Sequence, residues 1–433
     1  MYKQNNRSTS SGRPTSRFAG GSGRSSSGNA SHNGSSSSRV GNGGNYRGRS
    51  SFGNRGRSSK GRFGGGSTIS HSKFICKADP IIESAPYIPV NKFADFKINA
   101  VLKNNIIKKG YVNPTPIQDT AIPFVLKGRD VVGIANTGTG KTAAFLIPLL
   151  DKIINNPREK VLVIVPTREL ALQINQELIE FRNELRIFSV CCVGGVGIYA
   201  QISSLRRQNN FVIGTPGRLR DLVDRKAIHL PEFKTIVLDE ADRMLDMGFV
   251  NDMRFLMNNM APNRQTLFFS ATITSEIDKL IKEFLNNPEM ISVKTGDTAR
   301  NVDQDIVRVP NGGDKIDSLH ALLSKKEFSK VLIFGRTKHG VEKLCQTLVK
   351  NGFKAESIHG DKNQSRRQSA LKAFRDNHSQ ILVATDVAAR GLDIPNVTHV
   401  INFEVPATYE DYVHRIGRTG RGDKVGTALT FVN

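Results

Sequence analysis

The chain has 433 residues, no tryptophan and four cysteines. Cys76, Cys191, Cys192 and Cys345 form no C-x-x-C pair and no metal-ligand spacing, which excludes a disulfide scaffold and a structural zinc site. Cys191 and Cys192 lie in an apolar, strand-like run and read as buried thiols in a reducing compartment. Long apolar runs are missing too. The longest, Ala143–Leu150 and Val161–Pro166, fall far short of the ~18–20 residues that span a bilayer and look like core. The start, Met1 to Asn6, lacks the apolar stretch of a secretory signal. With neither span nor signal, the expected location is cytoplasmic.

Acid is absent from a long stretch. The first acidic residue is Asp79, whereas residues 1–70 hold twelve Lys and Arg and 16 of the 39 glycines. The whole chain carries 62 Lys and Arg against 39 Asp and Glu, a formal charge of +23. About half of that excess therefore sits in the first 70 residues. Apolar content there is too low to bury a core, so the segment reads as a disordered tail rich in Gly, Ser and Arg. Its isolated aromatics (Phe18, Tyr46, Phe52, Phe63) and two Arg-Gly-Arg units suit sequence-tolerant contact with nucleic acid. The plainer alternative is a solvated spacer. An Arg- and Ser-rich, acid-free start also fits an organelle transit peptide, but the glycines oppose the amphipathic helix such peptides form.

From about Asn91 short runs of Val, Ile and Leu alternate with helical patterns. Asp130–Ala135, Val161–Val165, Phe188–Val193, Phe211–Gly214, Thr235–Leu238 and Thr266–Phe269 are predicted strands, with helices such as Lys141–Asn155, Arg168–Phe181 and Ser275–Leu285 between them. A second set follows: strands Asp305–Val309, Val331–Phe334, Lys354–Ile358, Ile381–Ala384, His399–Phe403 and Thr427–Val432. Its helices are Asp314–Ser324, Gly340–Lys350 and Gln364–Phe374. Near-continuous apolar strands alternating with helices predict parallel sheets covered on both faces. The predicted organisation is an α/β protein: a tail at 1–70, a linker at 71–90, one domain at 91–296, an interdomain linker at 297–303 and a second domain at 304–433. Functional residues should gather at the carboxyl ends of the strands.

Two stretches carry chemistry by themselves. Ala135-Asn136-Thr137-Gly138-Thr139-Gly140-Lys141-Thr142 follows a predicted strand and opens a helix. The glycines let backbone N–H groups close on phosphate, Lys141 supplies charge, and the Thr142 hydroxyl can ligate Mg²⁺. Strand Thr235–Leu238 runs into Asp239-Glu240-Ala241-Asp242. An acidic pair there fits a metal carboxylate, Asp239, beside a general base, Glu240. The plain alternative is a strand end meeting solvent.

Asp-Glu-Ala-Asp after such a loop resembles the DEAD-box ATP-dependent RNA helicases, over about Phe93 to Asn433. The resemblance implies two RecA-like domains in tandem, with ATP and Mg²⁺ between them and RNA as partner. Gly110-Tyr111-Val112-Asn113-Pro114-Thr115-Pro116-Ile117-Gln118 resembles the family's Q motif, which implies Phe93 stacking on adenine and Gln118 reading its edge. Thr167-Arg168, Gly194-Gly195 and Thr215-Pro216-Gly217-Arg218 resemble RNA-contact motifs of the first domain. Arg336-Thr337, Arg367 and Thr385 resemble those of the second. Ser270-Ala271-Thr272 resembles the block coupling hydrolysis to unwinding, with His414 as its partner. By the same resemblance Asp393 lies near the ribose, and Arg418 and Arg421 are arginine fingers. The pattern is most similar to the bacterial RhlE-type branch. Family members usually continue past the last strand into a further helix, so the second domain is expected to be truncated or minimal.

Three activities compete. The first is ATP-driven local melting of RNA duplexes. The second is an ATP-gated RNA clamp or annealer with little unwinding. The third, a related DNA helicase, is disfavoured by Gln118 and the Asp-Glu-Ala-Asp sequence. The methionines at 244, 247, 253, 257 and 260 are expected core filler, and His359 is expected to be structural.

Overall fold

The computed structural model describes residues 69–78, 87–136, 138–293, 301–309, 313–389, 394–420 and 425–432. Two parallel sheets follow one another along the chain. The first holds β1 (Val131–Ile134), β2 (Val161–Ile164), β3 (Ser189–Cys192), β4 (Phe211–Gly214), β5 (Thr235–Leu238), β6 (Gln265–Ser270) and β7 (Glu289–Ser292) in the order β3-β4-β2-β5-β6-β1-β7. Around it lie α1 (Ala100–Lys108), α2 (Pro116–Leu126), α3 (Lys141–Asn155), α4 (Arg168–Phe181), α5 (Ile198–Leu205), α6 (Pro216–Asp224), α7 (Ala241–Asp246), α8 (Val250–Asn258) and α9 (Ser275–Phe284).

The second sheet is built from β8 (Val302–Arg308), β9 (Val331–Gly335), β10 (Ala355–Ile358), β11 (Ile381–Thr385), β12 (His399–Asn402) and β13 (Gly426–Val432), in the order β10-β11-β9-β12-β13-β8. Its helices are α10 (Lys315–Leu323), α11 (Lys338–Lys350), α12 (Gln364–Arg375), α13 (Asp386–Ala389) and α14 (Tyr409–Ile416).

Side chains on a strand alternate between faces, and both faces here are covered. In β2, Val161 and Val163 enter one core cluster and Leu162 and Ile164 the other. β9 repeats this, with Val331 and Ile333 on one side and Leu332 and Phe334 on the other. That is why these strands read as unbroken apolar runs. Helices show the other period. In α9, Ile277, Leu280 and Ile281 are buried, Thr274 caps the start by accepting from Ile277 N, and Glu276 and Asp278 sit in the first turn. Of the five methionines, Met244, Met253, Met257 and Met260 are buried in the core, as expected.

Every predicted strand forms, within a few residues. β7 was not foreseen: only Ile291 of its four residues is buried, because it is an edge strand beside β1. The linkers differ more. Of the predicted 297–303 linker, Val302 and Asp303 already belong to β8. The predicted 71–90 linker begins with a packed turn, His71–Phe74, whose Phe74 is fully buried against the second sheet. Most of the predicted tail, 1–68, lies outside the described residues. Among the described residues no helix is long and apolar enough to cross a membrane.

Candidate nucleotide and RNA site

Sheet order sorts the motifs. The loop after β1, the acidic pair after β5 and Ser270 at the end of β6 leave three neighbouring strands. Thr167 follows β2, Gly194 and Gly195 follow β3, and Thr215 follows β4, on the other half of the same edge. Phosphate chemistry and the expected RNA contacts thus stand side by side at the carboxyl ends.

The phosphate loop is wired to the segment before it. Gly138 and Gly140 have φ of 86° and 90°, a region glycine enters without strain. A Cβ on Gly140 would come within 2.3 Å of Gln118 Nε2. Gln118 Nε2 donates to Gly140 O at 3.0 Å, its Oε1 accepts from Thr115 N at 2.9 Å, and Thr115 Oγ1 donates to Thr139 O at 2.8 Å. Gln118 is 1% exposed. The residue expected to read adenine is therefore, first, a tie between two motifs. Lys141 Nζ lies inside the loop, donating to Ala135 O at 2.7 Å and Asn136 O at 3.3 Å. Thr137 lies outside the described residues.

Asp119, next to Gln118, was not foreseen. It accepts from Tyr87 Oη at 2.6 Å, Val90 N at 2.7 Å, and Asn91 N and Nδ2 at 3.1 and 2.7 Å. Burial works against its charge, but these bonds prevail and hold the carboxyl below its usual range. Burial, then Asp119 itself, pushes the Tyr87 hydroxyl up to about 12. Phe93 follows this anchored segment. It is buried, edge-on to Phe96 and Tyr111 at 5.9 and 5.8 Å, and Tyr111 rather than Phe93 faces the site cavity.

Asp239 and Glu240 end β5, both buried. Burial drives the Asp239 carboxyl up to about 7, against the pull of Lys141 and with help from Glu240. Glu240 sits in the left-handed region (φ 54°, ψ 50°) at the start of α7, a conformation that costs an ordinary residue roughly 1–2 kcal/mol. Its Oε2 accepts from Arg243 Nη1 at 2.8 Å, a buried pair. Asp242, the last residue of the acidic stretch and given no role in the sequence reading, clamps the next motif: its Oδ2 accepts from Ala271 N and Thr272 N, each at 3.0 Å, and from Thr272 Oγ1 at 3.2 Å. Ser270 Oγ donates to Thr272 O at 2.8 Å.

A cavity of about 480 Å³ joins these groups to the second domain. Gly138, Gly140, Lys141, Thr142, Asp239 and Glu240 line one side, and Arg375, Pro395 and Arg418 the other. Thr142 and Asp239 offer a hydroxyl and a buried carboxylate to one space, hard oxygen donors that fit Mg²⁺. Arg418 is buried, with Nε donating to His414 O at 3.3 Å. His414 and Arg418 border a second, small cavity with Asp386. Arg421 and Asp393 lie outside the described residues.

On the other half of the edge, the Arg168 guanidinium lies on Gly194 and Gly195. A Cβ on Gly195 would meet its Nη1 at 2.0 Å, so the guanidinium fills the space a side chain there would need. Thr167 caps α4, and Arg218 Nη1 donates to Val196 O at 3.1 Å. Thr215 stands at the N-cap of α6, and Gly217 lies in its first turn after Pro216. In the second domain, Arg336 is exposed, Thr337 caps α11, and Thr385 is half-buried at the end of β11. Arg367 departs from expectation. It is 7% exposed, and its Nη2 pairs with Glu169 Oε2 at 2.9 Å, so its guanidinium holds a carboxylate of the first domain. His359 is structural, as expected, with Nε2 3.0 Å from Glu342 Oε2.

A phosphate loop and acidic pair on one parallel sheet, facing an arginine on a second, define a two-domain nucleotide hydrolase. The DEAD/DEAH box helicase model matches residues 115–280, and that of the helicase conserved C-terminal domain matches 314–423. The DEAD-box ATP-dependent RNA helicase CshA of Bacillus subtilis (strain 168) is 45% identical over 342 residues, covering 78% of this chain and 69% of the relative. The ATP-dependent RNA helicase CshA of Listeria monocytogenes is 43% identical over 345 residues, covering 79% and 66%. Among solved structures, S. cerevisiae Dbp5 bound to RNA and ADP BeF3 superposes with a TM-score of 0.70 at 30% identity, covering 79% of this chain and 89% of that one. Mss116p bound to ssRNA and AMP-PNP gives 0.69 at 32%, covering 77% and 72%. The chain belongs to the DEAD-box ATP-dependent RNA helicases, and its two sheets are the RecA-like domains of that family. These relatives carry the CshA name; the RhlE-type likeness stays a resemblance.

Proposed function

We propose that RNA-stimulated hydrolysis of ATP between the two domains drives local melting of RNA duplexes or remodelling of RNA–protein complexes. The observation that carries this is one cavity lined by Lys141, Asp239 and Glu240 from the first domain and Arg418 from the second. Lys141 and the N–H groups of Gly138 to Thr142 bind the phosphates. Glu240 takes the proton of the water that attacks the γ-phosphorus as the bond to ADP breaks. Thr142 and Asp239 hold Mg²⁺, which when bound neutralises phosphate charge. Adenine packs beside Tyr111, which lines the cavity with Phe93 edge-on behind it, and the second N–H of Gln118 reads its edge. Asp393 meets the ribose.

Arg418, with Arg421, stabilises transition-state charge only when the domains are together. RNA spanning Thr167, Arg168, Gly194, Gly195, Thr215, Gly217 and Arg218 on one domain and Arg336, Thr337 and Thr385 on the other favours that arrangement. Arg367 supports it through Glu169. Ser270, Thr272 and His414 couple closure to unwinding. Contacts of this kind are sequence-tolerant, and the tail adds auxiliary RNA binding. The free cysteines, as in a reducing compartment, support a cytoplasmic activity.

The test is strand displacement of a short RNA duplex with ATP and with a non-hydrolysable analogue, beside ATPase rates with and without RNA. RNA should raise the ATPase rate, and displacement should exceed that of a passive clamp. Equal rates with and without RNA would overturn the coupled mechanism.

A further inference from the structure

Residues 69–78 precede the first domain in the chain but pack on the second. Phe74 is fully buried, its ring 4.8 Å from that of Tyr412. Tyr412, itself fully buried on α14, donates from its hydroxyl to Gln304 Oε1 at 2.9 Å. The backbone of Gln304, on β8, exchanges two hydrogen bonds with Cys76, 3.0 and 2.7 Å, as an antiparallel bridge. Ala78 N donates to Asp303 Oδ1 at 3.0 Å, and Lys73 Nζ lies 5.2 Å from the ring centre of Tyr409, one turn before Tyr412. The segment is thus a docked element of the second domain, held by packing and by the sheet edge.

The helix it holds is the one that matters for the arginine. α14 carries His414 and Arg415, and Arg418 follows two residues after its end. Arg415 pins the helix by polar contacts, to Asp386 Oδ1 and Oδ2 at 2.6 and 2.7 Å and to Glu404 O at 2.7 Å. Phe74 supplies an apolar support through Tyr412. We propose that Phe74 is a positioning residue for the ATPase: by seating α14 it sets where Arg418 faces the phosphates. This rests on the reading of Arg418 as the arginine that stabilises transition-state charge. A group acting through preorganised geometry loses about a hundredfold in rate for a displacement near 1 Å, and removing a ring from a packed site lets its neighbours shift. The phosphate loop and acidic pair stand on the first domain, whereas the core cluster that Phe74 joins belongs to the second.

The test uses the full chain with F74A, F74L and R418K, assayed with saturating RNA. F74A should lower kcat roughly tenfold to a hundredfold with KM for ATP unchanged. F74L should lie between it and the parent. Affinity for ADP with aluminium fluoride should fall in F74A, whereas affinity for ADP should not. Thermal unfolding confirms that each variant is folded at the assay temperature; should F74A not fold, F74L decides, with the same split expected. Unchanged kcat and fluoride-complex affinity in the Phe74 variants, with R418K impaired, would overturn the proposal. Unchanged kcat in R418K would instead overturn the reading of Arg418 on which it rests.

Discussion

Replacing Glu240 with Gln perturbs two things at once, and the structure separates them. The carboxylate is the proposed base, and it is also the buried partner of Arg243 at 2.8 Å, with side-chain exposures of 6% and 3%. Loss of a general base costs about 10²–10⁴ in rate, or roughly 3–5 kcal/mol of barrier. Removing one partner of a buried pair costs about 3–5 kcal/mol of stability. The Gln oxygen still accepts from Arg243, so we expect about half, near 2 kcal/mol, which in a domain of this size lowers the melting temperature by roughly 4–8 °C. ATP and RNA binding should persist, since neither uses this carboxylate. Phosphate release with saturating RNA, nucleotide titration and thermal unfolding read the three quantities independently. Undiminished turnover would refute the base assignment. An unchanged melting temperature would refute the claim that the pair supports the domain.

Other outcomes follow from the same geometry. Gly140→Ala combines a φ of 90° with a contact of 2.3 Å to Gln118; ATP affinity should fall at least about tenfold and the first domain lose roughly 1–3 kcal/mol. Calorimetry would show both, and a variant binding ATP as the parent does would contradict the tie between Gln118 and the loop. Glu342, hydrogen-bonded by Ser357 and then by His359 and Lys362, has its carboxyl lowered to about 2. A folded-state value below the unfolded one gives stability present above about pH 4.5 and lost as pH falls toward 2. The side chain is 37% exposed, so screening reduces the contribution to about 1 kcal/mol. Urea unfolding between pH 5 and 3 should show this slope in the parent and not in Glu342→Gln. Deleting residues 1–68, which spares the Phe74 segment, should weaken RNA affinity and flatten its salt dependence. Twelve lost cations bound the change in slope at about 8, and an unaltered slope would make the tail a spacer.

Much of this molecule was legible because its signals are local. A strand buried on both faces is a run of Val, Ile and Leu, and a phosphate loop is eight consecutive residues between a strand and a helix. β7 escaped because one buried residue in four makes no pattern. Phe74 escaped because it stands in the polar run His71-Ser72-Lys73-Phe74, and its partner Tyr412 is hundreds of residues away. Phe93 was legible as the aromatic that the resemblance singles out, but not as a buried ring packed edge-on to Tyr111.

Charge shows the division most plainly. Composition and neighbouring residues suffice to read a basic α/β chain with a phosphate loop, an acidic pair and a set of arginines. What each arginine meets depends on segments far apart in the chain, and folding alone brings them together. Arg418 faces the cavity lined by Lys141 and Asp239, Arg168 lies on a pair of glycines, Arg243 pairs with Glu240, Arg367 with Glu169, and Arg415 with Asp386. A guanidinium is the same donor in every case, and its role is set by what the fold places around it.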